Sequence, residues 1–115
     1  MEKMQVEPKK GRMTVYKGCH TPMEFRYDHV GWYDGFKFVF GNYKGDSKYR
    51  LFEVSTMAEA ATPMDSRVPE LLVSSFYSKL RDCGMSIGRV IEKYNNDLRK
   101  HKTHHISIWL NTLIG

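Results

Sequence analysis

The seven-residue run RKHKTHH, positions 99–105, offers Arg99, Lys100, Lys102, His104 and His105 as side chains to hold or adjust around phosphate. Lys and Arg neutralise phosphate charge, and the Arg fork can grip two oxygens at once. Histidine changes charge near neutral pH and can tune such a site. Arg89 and Lys93 lie shortly before this run, with Tyr94 beside them as a ring that could stack on a base. These eight residues form the predicted ligand site, and its chemistry is the holding of a nucleotide-type anion.

Other chemistries fit the same stretch less well. On a helix His101, His104 and His105 would share one face and could bind zinc, but no carboxylate lies close by in sequence to complete the set. No metal or other cofactor is expected. His101-Lys102-Thr103 and His105-Ile106-Ser107 match the H-x-T and H-x-S elements by which two-histidine phosphoesterases place an acid and a base across a phosphate. Here the two elements are four residues apart and cannot face each other within one chain. The segment FYSKLRDCGMSIGRVIEKY has the outline of a helix-turn-helix. Leu80 stands where a small residue is usual, Ile87 where a base contact is expected, and Lys93 where core is expected. An ordinary helical hairpin packed on a sheet is the simpler reading. No nucleophile elbow, glycine phosphate loop or close carboxylate pair occurs, so the chain is not expected to be an enzyme.

The charge pattern supports an anionic partner. Lys and Arg number 18 against 13 Asp and Glu, and the surplus sits at the two ends. Residues 1–22 carry five cations against two carboxylates, and residues 86–115 again five against two, around a mildly acidic middle. Uneven positive charge steers polyanions to one side of a protein. No run of about 18 apolar residues could cross a membrane. The opening MEKMQVEPKKGR has no apolar core of the signal-peptide type, so a cytoplasmic protein is expected, with Cys19 and Cys83 as free thiols.

The elements that must position these residues follow from periodicity. Residues 1–11 read as a flexible arm. A single α+β domain over 12–115 is expected, with a sheet in 12–57, a connector in 58–66 and a helical part in 67–115. RMTVYKGC, the run around Phe25, Tyr27 and His29, the run Phe36, Phe38 and Phe40, and YRLFEV predict a four-stranded antiparallel meander. Asp34-Gly35 is the hairpin signal, because this pair tolerates positive φ. Val68, Leu71, Leu72, Phe76 and Leu80 lie on one face of a helix starting near Asp65 or Ser66, with Gly84 as its stop. Ser86 caps a second helix striped by Ile87, Val90, Ile91, Tyr94 and Leu98. The tail 104–115 fits a third helix or a strand.

The aromatic count has its own consequence. Eleven rings between Tyr16 and Phe52 exceed what one covered sheet face can hide. Some are expected to be exposed beside Arg26, Lys37 and Arg50, for base stacking or, more simply, within a homo-oligomer interface. The functional expectation is a small non-catalytic binding protein, oligomeric, whose partner is nucleic acid or a small nucleotide held between subunits. The alternative is an inhibitor of viral or mobile-element type that blocks a host protein by contact.

Overall fold

In the computed structural model, residues 3–17 and 21–101 are described, with residues 16, 17, 21 and 97–101 followed as backbone only. Five strands precede two helices: β1 (Gln5–Lys17), β2 (Thr21–Tyr33), β3 (Phe36–Tyr43), β4 (Arg50–Glu53), β5 (Ala58–Glu59), α1 (Pro69–Cys83) and α2 (Ile87–His101). All neighbours in the sheet are antiparallel and in chain order. The α+β class and the sheet-then-helix order are as the sequence indicates.

The turns are local chemistry. Asp34 and Gly35 take φ of 50° and 81° and close the β2–β3 hairpin. After β3 the Asn42 amide donates to the carbonyls of Tyr43 and Asp46, and the Lys48 N–H donates to the Asp46 carboxylate. After β4 the buried Glu53 carboxylate accepts from the N–H and hydroxyl of both Ser55 and Thr56. Four donors make up for the water that a buried carboxylate loses. Gly84, at φ 67°, ends α1 by donating its N–H to Leu80 O, and the Ser86 hydroxyl accepts the Arg89 N–H at the start of α2.

Three readings need correction. The sheet has five strands, because β5 forms inside the stretch taken as connector. It also begins at Gln5, inside the stretch taken as an arm. Met4 is buried against Gly31 and Phe40, and its N–H donates to the Tyr77 hydroxyl. Finally, α1 starts at Pro69, with Val68 as an N-cap that makes no side-chain bond, so Val68 and Leu71 stay exposed while Leu72, Phe76 and Leu80 are buried.

The sheet has a core on each face, and this resolves the aromatic surplus. Phe38, Phe40, Tyr49 and Leu51 meet Leu72, Phe76, Leu80, Ile87, Val90, Ile91 and Tyr94 on the helical side. Phe25, Val30, Val39, Tyr43 and Phe52 join Val15 on the other. There Phe25 and Phe52 lie edge to face with centroids 4.6 Å apart. Among the described rings Trp32 is the one left largely exposed.

The second core needs a bent sheet. The β1–β2 ladder shifts register between Pro8 and Gly11, and the β2–β3 ladder shifts between Tyr27 and His29. The two irregularities meet at Asp28, where bulges increase twist and redirect side chains. Gly41 marks the inside of the bend: a Cβ there would stand 1.9 Å from the Arg26 carbonyl oxygen and 2.5 Å from Tyr27 Cα.

Candidate anion-binding face

The predicted ligand residues do not all face solvent. Tyr94 is 2% exposed and belongs to the core under the helices. Burial, with the charge of Glu53 adding to it, pushes its hydroxyl up to about 12. The ring therefore cannot stack on a ligand, which corrects that part of the reading. Arg89 and Lys93 are exposed on α2, where Arg89 pairs with Glu92 at 3.3 Å. Arg99 and Lys100 fall on α2, but their side chains lie outside the described residues, as do Lys102, His104 and His105 entirely. Ile87 is buried where a DNA-reading helix would expose a base contact, and α1 and α2 pack on the sheet as an ordinary hairpin.

A second set of cations is brought together by the sheet register. Arg12 pairs with Arg26 across β1–β2, and Arg26 pairs with Asn42 across β2–β3. Their neighbours Met13, Phe25 and Tyr43 belong to the second core. Alternation therefore sends Arg12, Arg26 and Asn42 out on the opposite face. Arg67, just before α1, reaches back to this row and donates to Asn42 Oδ1 at 3.0 Å. Together with Lys10, Tyr27 and Asp28 these residues line a shallow groove of about 370 Å³. Lys44 stands nearby, its backbone N–H bonded to the Glu24 carbonyl.

Like charges directly opposite on neighbouring strands repel, at roughly 0.2–1 kcal/mol. One carboxylate separates Arg12 from Arg26. Glu24 accepts from Arg26 Nε at 2.8 Å and from Arg12 at 3.5 Å. The Arg26 hydrogen bond, helped by the charges of Arg26, Arg12 and Lys44 and opposed by desolvation, holds Glu24 below the ordinary carboxylate range. Counting Lys10 and Lys44, five cations face two carboxylates, Glu24 and Asp28. This face carries net positive charge that local pairing does not cancel.

Asp28 is the fixed point beneath it. At the double bulge its carboxylate accepts from the Tyr49 hydroxyl at 2.6 Å and from Arg67 at 2.7 Å, and lies 2.8 Å from His29 Nδ1. The Arg67 guanidinium also lies over the Tyr49 ring, 5.0 Å from its centroid. Burial opposes ionisation of Asp28, but the bonds from Tyr49, His29 and Arg67 outweigh it, so its pKa falls below the ordinary 3.8. The network aims Arg67 into the groove while tying β2, the segment just before β4 and the α1 approach together.

A pH dependence follows. Asp28 has a lower pKa folded than unfolded, so its stabilisation is complete above the unfolded value and is lost as pH falls through the folded one. Asp28→Asn is expected to lose about 2 kcal/mol at pH 7, the scale of hydrogen bonds to a charged group. Urea unfolding at a series of pH values checks this. The gap between wild type and variant should close in acid below the ordinary Asp range, and a gap that stays constant would contradict the assignment.

The sequence did carry a signal for this face. RMTV and MEFRY each alternate a charged or polar residue with an apolar one, so each read alone predicts a one-sided strand. Only the register shows that Arg12 and Arg26 are opposite, and only the bulges show that Asp28 turns toward Arg67. Among the described residues no group of three potential metal ligands occurs, no helix is long and apolar enough to cross a membrane, and Cys83 is a free thiol. Comparison with protein-family models, curated sequences and solved structures finds no match for this chain.

Proposed function

We propose that this chain is a non-catalytic binding protein that holds a nucleic-acid backbone along the Arg12–Arg26–Asn42 face. The observation that carries the reading is the cross-strand arginine pair: two guanidinium groups set opposite each other share the single carboxylate of Glu24, so the row keeps positive charge that pairing does not cancel. Arg67 supplies a third guanidinium, oriented by Asp28 and Asn42. The groove is open and spans three strands, which suits an extended chain of phosphates better than a small nucleotide enclosed between subunits. The cations Arg89, Lys93, Arg99, Lys100 and Lys102 are the rival seat for the same ligand.

Fluorescence anisotropy with a labelled single-stranded oligonucleotide tests the proposal. Contacts from Lys10, Arg12, Arg26 and Arg67, at about 0.7 per phosphate neutralised, give an expected slope of log Kd against log salt near 3. Absence of binding, or binding indifferent to salt, would overturn it. Charge reversal at Arg99, Lys100 and Lys102 should leave most of the affinity intact. If it abolishes binding, the seat is the late cluster and not the sheet face.

A further inference from the structure

β1 has a neighbour on one side only. It is the edge of the sheet, and among the described residues no strand pairs with its outer side. The stretch from Gln5 to Lys10 is exposed at every residue. An edge strand presents unpaired N–H and C=O groups along one side and is a template for another strand. Beside this edge runs a groove of about 530 Å³, walled by Met4, just before β1, by Val6 of β1, and by Glu70, Val73, Ser74 and Tyr77 from α1. Val6 is 37% exposed there. The bond from the Met4 N–H to the Tyr77 hydroxyl joins the two walls, so the groove exists before anything enters it.

We infer that this groove takes an extended acidic peptide from a partner protein, which adds to β1 as a sixth strand. Backbone pairing to the edge would supply affinity, and alternate side chains would drop between Val6 and Val73 to supply specificity. The charge of β1 selects the occupant. QVEPKKGRMTVYK carries Lys9, Lys10, Arg12 and Lys17 against the single Glu7. Lys9 and Lys10 lie in the β1 bulge, next to the free edge. A second copy of β1 would bring the same four cations to the pairing, and Pro8 offers it no N–H. A strand bearing Asp or Glu opposite Lys9 and Lys10 meets no such repulsion and brings no proline of its own, while the groove, where Lys3 and Glu70 offset each other, takes its apolar side chains. The groove shares no lining residue with the arginine row, although Lys10 and Arg12 belong to β1 and so border both the edge and the row, and the inference stands whether or not nucleic acid binds there.

The test is selection of displayed random peptides of about a dozen residues, long enough for one strand, on the immobilised full chain. Enriched peptides should alternate apolar positions and carry flanking Asp or Glu. Synthetic versions should lose affinity by about tenfold or more with Ser74→Trp, which fills the groove from an exposed position on α1. Leu71→Ala, exposed on the same helix but outside the groove, should leave affinity unchanged. Backbone N-methylation of the peptide at alternate residues should abolish binding in one register and spare it in the other. Failure to enrich any peptide, enrichment of basic peptides, or indifference to Ser74→Trp would overturn the inference. So would a wild-type dimer in sedimentation that Ser74→Trp dissolves, since that would assign the edge to a second copy.

Discussion

Gly41→Ala should cost roughly 4 kcal/mol, a large share of the 5–15 kcal/mol that holds a domain of this size together. The new Cβ would meet the Arg26 carbonyl oxygen at 1.9 Å and Tyr27 Cα at 2.5 Å. Both are backbone, so no side-chain rotation relieves the clash. Either β2 moves off β3 and the second core opens, or the β2–β3 ladder breaks at the bulge. Two control substitutions make the same chemical change with different results. At Gly31 the Cβ would meet Met4 Sδ at 2.6 Å and the Phe40 ring at 3.0 Å, side-chain atoms that can shift where backbone cannot, and a cost of about 1–2 kcal/mol is expected. At Gly88, in α2, nothing lies within 4 Å, and Ala should stabilise by about 0.5–1 kcal/mol through helix propensity. Urea unfolding of the three variants reads the order directly. If Gly41→Ala unfolds at the wild-type urea concentration, the sheet is not bent as described.

This contrast also marks what a sequence can reveal. Asp34-Gly35, Gly84 and Ser86 act on their own neighbours, and the structure finds each in its predicted role. The run Phe36, Phe38 and Phe40 does form β3, but the strand is covered on both faces, so Val39 between the rings is buried too. Gly41 is different. It looks like any glycine near a turn, and its role appears only once the β2 bulge is known to cross it. The stretch 5–11 was illegible for a related reason: Pro8, Lys9 and Lys10 have the composition of an arm, and edge strands carry such residues as protection against unwanted pairing. β5 is two residues long within a small, polar run, too short for any period to register. The expectation of several exposed rings failed because a long hairpin with matched bulges buries the sheet's second side as well. The late basic run was easy to see as a linear motif. The arginine row was not, since its members are 14 and 16 residues apart in the chain and meet only through register.

Replacing Arg12 and Arg26 by Gln should separate binding from stability. At about 50 mM salt, a phosphate contact with a salt exponent of about 0.7 is worth roughly eightfold in affinity relative to 1 M, so losing two contacts should weaken oligonucleotide binding by about 60-fold. The log–log slope should fall by about 1.4 for the same reason. Stability should move the other way or not at all. The variant loses two solvent-screened ion pairs with Glu24 and gains relief from two guanidinium groups set directly opposite each other, so the two effects oppose. Unfolding free energy is therefore expected to stay within about 0.5 kcal/mol of wild type. A residue pair whose removal leaves the fold intact while binding collapses is present for the ligand. If binding and stability fall together, the row is a structural ladder of the sheet. If neither changes, the phosphate seat lies elsewhere, and Arg99, Lys100 and Lys102 become the residues to reverse.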